Sequence, residues 1–469
     1  MKLLAMSLLL LVSFAAVPAG AQTFQHIVLV VQENRTPDNL FQGLCGPGRQ
    51  LCPVPYDLQN FGINQAGKKV ALVQTPLGVG FGGDQSHSGF VKQCDLDPTT
   101  NQCRMDGLTS GGCPLQCVYS YVNPADVGPY ITIAQQYGWA NYMFQTNQGP
   151  TMPAHQFIFA GTSAPTDDDD AKATFVSNNP VTGDGGCLAP LGEIYRMISP
   201  QTWPIEYQWV NNPLGTFCFS HPTMATLLDN QQPRVSWKYY TLGPAAIATA
   251  PNWYRDICQP DDNYQQCTGQ EWKNNVDLRP QDVLVDISAC KLASMSWAIP
   301  PGQYSDHPGD PSFTGGPSWV ASIVNAIGES SCTNPDGSSY WNSTAIFVTW
   351  DDWGGFYDHE PPTLLSVPNQ GLGDYEYGFR VPLLVVSAYT PVGYVDNLRY
   401  DFGSILRFIE QNFGIPEGAL NFADARATND LTSFFNWNQQ PRVFQHISAP
   451  LDKDFFVNDK RPMAPTDDN

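Results

Sequence analysis

Two short polar segments carry the residue types of a site for a hard metal ion. Glu33 and Asn34 follow one apolar, mostly β-branched run, and Asp351 and Asp352 follow another. Carboxylate oxygens are the preferred ligands of hard divalent cations, and amide oxygens are acceptable ones. The adjacent carboxylates of Asp351 and Asp352 repel each other unless a cation or a basic group lies between them. The two segments therefore predict a shared divalent-metal site, whereas a solvated acidic turn would explain Asp351 and Asp352 taken alone.

Thr151 supplies a candidate nucleophile. It follows a turn formed by Gly149 and Pro150 and precedes an apolar segment, with Pro153 placed as in the first turn of a helix. A hydroxyl group at a helix start lies among unpaired backbone N–H groups, which bind phosphate and stabilise an alkoxide. A simple N-cap role for the side chain is the alternative.

The strands and helices of an α/β fold must position these residues. Continuous apolar runs predict buried strands of a largely parallel sheet, and they cover Ile27–Val31, Ala345–Trp350 and Val381–Ser387. Apolar residues at helical spacing predict helices, which cover Ile131–Tyr137, Trp319–Ile327 and Phe402–Phe413. Ligands gather where the strands of such a sheet end at their carboxyl edge. We therefore expect the residues that follow all three apolar runs to meet at one site.

Length and composition favour a single large globular domain. The chain has 469 residues, of which 42% are hydrophobic and 12% aromatic, and this is enough to bury a large core. Neither a repeat nor a linker divides the chain, so we expect one domain over residues 22–469, with loop-rich, disulfide-bearing insertions near 45–123 and 167–281. The net charge of −21 argues against a general affinity for nucleic acid or an anionic membrane.

The first 21 residues are typical of an export signal. They combine Lys2, an apolar stretch and a small-residue cleavage motif that ends before Gln22. A membrane anchor is the alternative, but the apolar stretch is short for a span, and no later stretch is long and apolar enough to be an integral span. A secreted or periplasmic location agrees with the 12 cysteines, which we expect to form disulfides. Zinc binding by Cys113 and Cys117 is the competing interpretation of that pair.

Six segments of the chain resemble, in the same order, motifs of a bacterial phosphoesterase family that contains phosphatidylcholine-type phospholipases C and acid phosphatases. These segments are HIVLVVQENRTPDNLF, NQGPTMPAHQFIFAGTS, SDHPGDPS, TAIFVTWDDWGGFYDHEPPT, GFRVPLLVVSAYTPVGYV and DFGSILRFIEQNFGI. The resemblance covers about residues 24–436, nearly the whole chain beyond the export signal. The family is similar in fold to the alkaline phosphatase superfamily, so the resemblance implies an α/β/α sandwich.

The resemblance also implies roles for the polar residues. In the family, the Glu-Asn pair after the first strand and the acidic pair before Gly-Gly bind a divalent metal together with a hydroxyl nucleophile. The matching residues of this chain are Glu33, Asn34, Asp351, Asp352 and Thr151. The implied reaction is hydrolysis of a phosphate ester, of acid phosphatase or phospholipase C type, through a phosphothreonine intermediate. A sulfatase-like hydrolase and a non-catalytic binding protein of the same fold are the alternatives.

Three of the seven histidines match family segments. His307, in a His-Pro motif, is expected to contact the phosphoryl group or to protonate the leaving oxygen. His359, at the end of the Gly-Gly motif, and His87, in an Asp-x-x-His segment, are further candidates. A structural hydrogen-bonding role is the alternative for each of the three.

The chain departs from the family pattern at two places. Ala154 and His155 stand where the family often has Asn-Arg, so the substrate contacts there are open. Asp352 stands where the family often has the longer Glu, which could change the geometry or preference of the metal site. Arg35, which follows the first acidic segment, is interpreted as a structural partner of a nearby carboxylate.

Overall fold

The computed structural model of the protein describes residues 23–46, 51–79, 82–100, 102–108, 117–190, 192–210, 217–362 and 377–466. The expected export signal, residues 1–21, lies outside this part of the chain, as does Cys113 of the possible zinc pair. Within the described residues, an eight-stranded sheet forms the centre of the molecule, and smaller sheets lie in the segments between its strands.

Eight strands, labelled β1 to β8 in chain order, form the central sheet. They span His26–Gln32 (β1), Gly138–Met143 (β2), Trp237–Tyr240 (β3), Val276–Asp277 (β4), Met295–Ala298 (β5), Thr344–Trp350 (β6), Leu383–Val386 (β7) and Tyr394–Tyr400 (β8). Their order across the sheet is β4-β3-β5-β1-β6-β7-β2-β8. β7 runs antiparallel to both of its neighbours, and the other pairs are parallel. The sheet is therefore largely parallel, as the continuous apolar runs predicted.

The direction of β7 changes which residues meet at the carboxyl edge of the parallel strands. Thr349 of β6 pairs with Leu383, the first residue of β7, and Ile346 pairs with Val386, the last one. The residues that follow β7 therefore lie at the opposite edge. The expectation that all three apolar runs end at one site is wrong for the third run. An antiparallel strand instead brings its N-terminal flank, which contains Arg380, to the edge where β1 and β6 end.

Helices cover both faces of the sheet. The longer helices, labelled α1 to α6, span His87–Cys94 (α1), Gly128–Gln136 (α2), Thr151–Ala160 (α3), Asp282–Ser288 (α4), Gly316–Gly328 (α5) and Phe402–Asn412 (α6). Phe347 of β6 packs on Phe408 of α6, whereas Trp350, three residues later, packs on Tyr130 of α2. Because side chains alternate along a strand, α2 and α6 lie on opposite faces, which confirms the expected α/β/α sandwich. No helix of the described residues is both long and apolar enough to cross a membrane.

The predicted loop-rich segments contain small elements of their own. In the first segment, Phe61–Ile63 pairs with Lys69–Ala71, Val73–Thr75 with Ser120–Val122, and Leu96–Asp97 with Gln102–Cys103. In the second segment, a three-stranded sheet comprises Phe175–Val176, Ile194–Ile198 and Tyr207–Val210. Residues 167–281 also contribute β3 and β4 to the central sheet, so this segment is not an insertion throughout. Short α-helices span Pro37–Leu40, Asp167–Asp170, Met224–Asp229, Arg255–Cys258, Gln270–Asn275, Ala423–Arg426 and Lys453–Asn458.

Disulfides close the loops around the sheet. The five bonds join Cys45 to Cys52, Cys94 to Cys103, Cys187 to Cys218, Cys258 to Cys267 and Cys290 to Cys332. The disulfide interpretation is thus confirmed for ten of the twelve cysteines. Cys117 has no disulfide partner among the residues that the structure describes.

Candidate active site

The carboxyl ends of β1 and β6 bring Glu33 and Asp351 together. The two strands are adjacent and parallel, and their last residues, Gln32 and Trp350, pair with each other. The Asp351 N–H group donates to the Gln32 carbonyl over 2.9 Å, which continues the pairing by one residue. The side chains of Glu33 and Asp351 are fully buried. The register of two buried strands therefore places two acidic groups next to each other in low-dielectric surroundings.

The two oxygens of the Asp351 carboxylate have different surroundings. Oδ1 accepts hydrogen bonds from the backbone N–H groups of Asn34, at 3.0 Å, and Asp352, at 2.6 Å. Oδ2 is buried and has no hydrogen-bond partner among the residues that the structure describes. Burial, followed by the charge of Glu33, raises the pKa of Asp351 well above its ordinary value. An ionised Asp351 therefore requires a nearby cation, which is a property expected of a metal ligand.

Gly354 and Gly355 let the chain after Asp352 pass close to neighbouring backbone. Their φ angles are 64° and 69°, a region that glycine adopts without strain. A Cβ atom at Gly354 would lie 2.3 Å from the Asn34 carbonyl oxygen, and one at Gly355 would lie 2.3 Å from the Gly83 nitrogen. The Gly354 N–H group also donates to Asp352 Oδ1 over 2.6 Å. The two glycines thus hold Asp352 against Asn34.

Thr151 is the first residue of α3, as the sequence predicted. Its hydroxyl group donates toward Glu33 Oε2, at 3.3 Å, and Asp352 Oδ2, at 3.4 Å. Pro150 occupies the N-cap position and makes no side-chain capping hydrogen bond. The N-cap alternative for Thr151 is therefore wrong, and its hydroxyl group belongs to the acidic cluster instead.

The backbone at the start of α3 is less open to a phosphate group than the sequence suggested. The Met152 N–H group donates to Asn179 Oδ1 over 2.9 Å, and Pro153 has no N–H group. Two of the first three helix positions therefore cannot offer a free N–H group to an anion. The helix start gives limited support to a phosphate here, so side chains or a metal ion must supply most of the positive charge.

His155 lies four residues after Thr151 and faces the same acidic cluster. Its Nε2 atom is 3.4 Å from Glu33 Oε1 and 4.0 Å from Asp351 Oδ2. On its other side, Nδ1 is 3.5 Å from the hydroxyl group of Tyr239. All of these side chains are buried. Glu33, His155 and Asp351 form a group whose ligand atoms are close enough together to hold one ion.

The side-chain amide of Asn34 tests whether a metal ion fits this cluster. One end of the amide lies 2.8 and 2.9 Å from the carboxylate oxygens of Asp352, and the other end lies 2.8 Å from His307 Nε2. His307 Nδ1 is 2.8 Å from the Pro308 carbonyl, so Nδ1 carries a proton. If the ring is neutral, Nε2 accepts from the amide N–H, and the amide oxygen then faces the carboxylate. A cation between these oxygens would stabilise that arrangement, whereas a protonated Nε2 turns the amide N–H toward Asp352 instead. The donor set therefore fits a divalent ion when His307 is neutral.

Arg35 positions His307 through the backbone. Its Nε and Nη2 atoms donate to the Asp306 carbonyl over 3.0 and 2.7 Å. The Asp306 carboxylate accepts hydrogen bonds from Tyr130 at 2.7 Å and from Trp350 Nε1 at 3.2 Å. Burial raises the pKa of Asp306 to about 6 and lowers the pKa of Arg35 to about 10. The prediction that Arg35 pairs with a carboxylate is not met by its hydrogen bonds, which go to the Asp306 carbonyl and to Asn39 Oδ1.

His87 lies beside the loop that precedes Thr151. It is the first residue of α1, and its Nδ1 atom is 2.9 Å from the carbonyl of Gln148. The ring is fully buried, and its Nε2 atom has no hydrogen-bond partner. Burial lowers the pKa of His87, which favours a neutral ring that donates through Nδ1. These contacts place His87 against the loop that leads to Thr151 rather than in the acidic cluster.

His359 belongs to a separate ion-pair network. Its Nδ1 atom is 2.7 Å from Asp38 Oδ2, and its Nε2 atom is 3.2 Å from Asp57 Oδ1. Arg380 donates to both carboxylate oxygens of Asp358, at 2.9 and 3.1 Å, and lies 3.6 Å from Asp38. Burial acts to lower the pKa of His359, but the charge and hydrogen bond of Asp38 and the hydrogen bond of Asp57 outweigh it and raise the pKa to about 10. Both ring nitrogens are used, so the structure does not bring His359 into the acidic cluster.

A cleft of about 590 Å³ adjoins the acidic cluster. His307 and Gly354, which both contact Asn34, line this cleft together with Asp310 and Phe313. The volume is in the range of small-molecule binding sites. A substrate in this cleft would therefore approach the cluster from the side of Asn34 and His307.

The sequence alone assigned no role to His155 or to Tyr239, whose hydroxyl group contacts His155 Nδ1. The available signal was spacing, because residues four apart on a helix share a face, and His155 is four residues after Thr151. Tyr239 carries no comparable local signal. Its approach to His155 depends on the packing of α3 against β3, which the sequence pattern does not specify.

The sequence matches the Phosphoesterase family over residues 24–416. It is 25% identical to the non-hemolytic phospholipase C of Pseudomonas aeruginosa, over 89% of this chain and 58% of that protein. It is also 25% identical to phospholipase C A of Mycobacterium tuberculosis, over 92% of this chain and 81% of that protein. The chain thus spans less than two thirds of the Pseudomonas relative. A solved structure of a protein in the alkaline phosphatase superfamily from Vibrio parahaemolyticus gives a TM-score of 0.34 at 10% identity, over 84% of this chain and 67% of that chain.

The Asp351→Asn substitution should stabilise the metal-free protein, but it should make the protein less stable than the wild type when a divalent cation is bound. Without metal at pH 8, the variant should be more stable than the wild type by about 1–3 kcal/mol, because asparagine avoids the cost of burying a carboxyl group that must either stay ionised or take up a proton. With Mn²⁺ at roughly 100 times its dissociation constant, the wild type should gain about 2.7 kcal/mol, and the variant much less. Urea unfolding with EDTA and with Mn²⁺ measures both differences. Asp262→Asn, an exposed control, should follow the wild type, and an Asp351→Asn protein that gains as much from Mn²⁺ would show that Asp351 is not a ligand.

His359→Gln should destabilise the protein more at low pH than at high pH. The folded-state pKa of about 10 lies above the ordinary value of 6.5, so the charged ring stabilises the fold fully below pH 6.5, and this contribution is lost as the pH rises toward 10. We expect a loss of about 3–5 kcal/mol in the free energy of unfolding at pH 6, as for other broken buried ion pairs, and a much smaller loss near pH 10. Urea unfolding across this range is the measurement.

His446→Gln is the matched control for this pH dependence. It removes an ion pair with Glu329 in which both side chains are more than half exposed. Exposed pairs contribute at most about 1 kcal/mol, so this variant should stay close to the wild type at every pH. A loss for His359→Gln that does not change with pH would contradict the charged network.

Proposed function

The chain belongs to the Phosphoesterase family, and on that basis we propose that it hydrolyses phosphate esters with a divalent metal ion and with Thr151 as the nucleophile. The observation that carries this proposal is the contact of the Thr151 hydroxyl group with Glu33 and Asp352. A hydroxyl group held between buried carboxylates has an acceptor for its proton. The adjoining cleft leaves room for the ester.

In the first step, the Thr151 oxygen attacks phosphorus from the side opposite the leaving group. Its proton passes to Glu33 or Asp352, and the bond between phosphorus and the leaving oxygen breaks. His307, which lines the cleft, exchanges a proton with the leaving oxygen directly or through water. In the second step, water attacks phosphorus and the bond between phosphorus and the Thr151 oxygen breaks. The Thr151 oxygen takes back a proton, and phosphate leaves if the substrate is a monoester, or a phosphomonoester if it is a diester.

The metal ion has a defined place in this scheme. Glu33, Asn34, Asp351 and Asp352 are the proposed ligands, and Thr151 completes the set. A divalent cation bound there would neutralise the carboxylates, lower the pKa of the threonine hydroxyl group and stabilise charge on the phosphoryl oxygens. The buried Asp351 Oδ2 atom, which has no hydrogen-bond partner, supports this ligand set.

His87 and His359 have proposed positioning roles rather than direct ones. His87 contacts the carbonyl of Gln148 in the loop that leads to Thr151, so it would fix that loop. His359 forms a salt bridge with Asp38, so it would hold the segment that follows the Gly-Gly motif. Neither role needs contact with the phosphoryl group.

A phospholipid of phosphatidylcholine type is a narrower substrate candidate. Two relatives are named as phospholipases C, and the ring of Phe313 and the carboxylate of Asp310 in the cleft suit a quaternary ammonium group. A parallel hydrolysis screen of phosphatidylcholine, a soluble phosphodiester and a phosphomonoester, each with added divalent metals, separates the possibilities. If the protein hydrolyses the phosphomonoester but neither phosphatidylcholine nor the phosphodiester, the proposed phospholipase C activity is wrong.

The same screen, extended by a chromogenic sulfate ester, tests the two alternatives to a phosphoesterase. A sulfatase-like hydrolase would cleave a chromogenic sulfate ester and leave the phosphate esters intact. A non-catalytic binding protein would cleave none of them. The presence of two acidic segments together with the Thr151 hydroxyl group favours the phosphoesterase over both.

Export from the cytoplasm is part of the proposal. The five disulfides are typical of oxidising compartments, and the sequence begins with an expected signal. A secreted or periplasmic protein should start at Gln22, and N-terminal sequencing of the mature protein tests this.

Thr151→Val should lower turnover by at least about 10³-fold, because valine keeps the shape of the side chain but removes the nucleophile. The variant should remain folded, since the hydroxyl group caps no helix. Steady-state hydrolysis of the best substrate from the screen measures the loss, and circular dichroism checks the fold.

Thr151→Ser is the conservative control, and it should retain measurable activity because it keeps a hydroxyl group at the same helix position. Acid quenching during turnover, followed by peptide mass spectrometry, should find one phosphoryl group on residue 151 in the wild type. A folded Thr151→Val protein with near-native turnover would reject Thr151 as the nucleophile.

A further inference from the structure

The metal ligands assigned above are all oxygen atoms, yet a buried imidazole faces two of them. We propose that His155 is a nitrogen ligand of the metal centre and that it makes the centre selective for a borderline cation such as Zn²⁺ over Mg²⁺ and Ca²⁺. The inference rests on the proposed function in taking Glu33 and Asp351 as ligands. It adds a donor that neither acidic segment contains.

The distances suit a shared ion. His155 Nε2 lies 3.4 Å from Glu33 Oε1 and 4.0 Å from Asp351 Oδ2. Two ligand atoms that each lie about 2.0–2.2 Å from one zinc ion are about 3.0 Å apart at a right angle and about 3.4 Å apart in a tetrahedron, with larger separations at wider angles. The measured separations therefore leave room for one ion between the three side chains.

Asp351 supplies an independent observation. Its Oδ2 atom, which is the one that faces His155, is fully buried and has no hydrogen-bond partner in the described part of the chain. The other oxygen is already used by two backbone N–H groups, those of Asn34 and Asp352. A buried carboxylate oxygen left open in this way, and aimed at an imidazole nitrogen, is a ligand position rather than a structural contact.

Tyr239 sets the proton position on the His155 ring. Its hydroxyl group donates to the Ala248 carbonyl over 2.7 Å, so toward His155 Nδ1, at 3.5 Å, it can only accept. Without metal, Nε2 is within hydrogen-bond distance of Glu33 Oε1. With a metal ion bound, the ring would carry its proton on Nδ1, toward Tyr239, and direct the Nε2 lone pair at the ion between Glu33 and Asp351. This is the tautomer of a metal-bound histidine whose second nitrogen is held by a neighbouring oxygen.

The chemistry of the donor explains the expected selectivity. Imidazole nitrogen binds Zn²⁺ and neighbouring transition metals well, whereas Mg²⁺ and Ca²⁺ prefer oxygen donors. His155 therefore adds affinity for the first group and little for the second. A protonated His155 would make an ion pair with Glu33 instead, and its nitrogen could not coordinate a metal.

Zinc K-edge X-ray absorption of the full mature protein, loaded with one equivalent of Zn²⁺, tests the ligand directly. Imidazole bound through nitrogen gives a characteristic outer-shell scattering pattern. We expect this pattern in the wild type and in His221→Asn, and we expect its loss in His155→Asn. His221 is the matched control because its ring is also largely buried but packs on Phe219, Tyr254 and Phe422, away from the acidic cluster.

Competition binding measures the selectivity. In His155→Asn, the affinity for Zn²⁺ should fall by at least about 10–100-fold, which is the loss caused by removing even a residue that orients a ligand, while the affinity for Mg²⁺ should change little. Tyr239→Phe should keep the imidazole pattern and lose about 10-fold in Zn²⁺ affinity. This second variant leaves His155 in place, so it tests the arrangement even if His155→Asn fails to fold.

The outcomes separate this inference from the proposed function. A wild-type protein that binds no divalent metal would overturn both. Metal binding without an imidazole pattern, or with a pattern unchanged in folded His155→Asn, would overturn the role of His155 and leave the oxygen ligands standing. Equal losses of Zn²⁺ and Mg²⁺ affinity in His155→Asn would overturn the selectivity, because they would indicate a general disturbance of the site.

Discussion

The structure depends on the burial of carboxylates at the ends of two adjacent parallel strands. β1 and β6 pair up to their last residues, Gln32 and Trp350, so the next side chains, Glu33 and Asp351, must lie close together. Repulsion between two charges is strong in such low-dielectric surroundings. Backbone N–H groups satisfy one oxygen of Asp351, and the other is left open. A bound cation is the simplest way to make this arrangement stable with both groups ionised.

Two other buried acids, Asp358 and Asp306, have different surroundings. Arg380 forms a two-pronged ion pair with Asp358, and the carboxylate of Asp306 accepts hydrogen bonds from neutral donors. These groups are compensated by side chains of the chain itself. Glu33 instead faces a hydroxyl group and an imidazole, neither of which carries a permanent charge. The buried carboxylates near Arg380 thus have a permanently charged partner, whereas Glu33 does not.

One antiparallel strand decides which residues surround the cluster. Because β7 opposes β6, the chain enters it at the edge where β1 and β6 end. Arg380, just before β7, can therefore clamp Asp358 and the backbone carbonyls of Asp57 and Asn141. The clamp fixes the segment that follows the Gly-Gly turn. The Gly-Gly turn passes close to the Asn34 backbone, so Asp352 lies next to Asn34 on the oxygen-rich side of the cluster.

The sequence by itself determined the buried strands, the helix start at Thr151 and the acidic residues after two strands, because each of these follows from a pattern within about ten neighbouring residues. The tertiary structure decided the direction of β7, the separation of His359 from the cluster and the approach of His155 to Glu33. Each of these depends on contacts between segments far apart in the chain, and local periodicity carries no information about them. His155 shows the boundary most clearly. Its spacing from Thr151 fixes the helix face that it occupies, but only the packing of α3 on the sheet decides that this face meets two carboxylates and Tyr239.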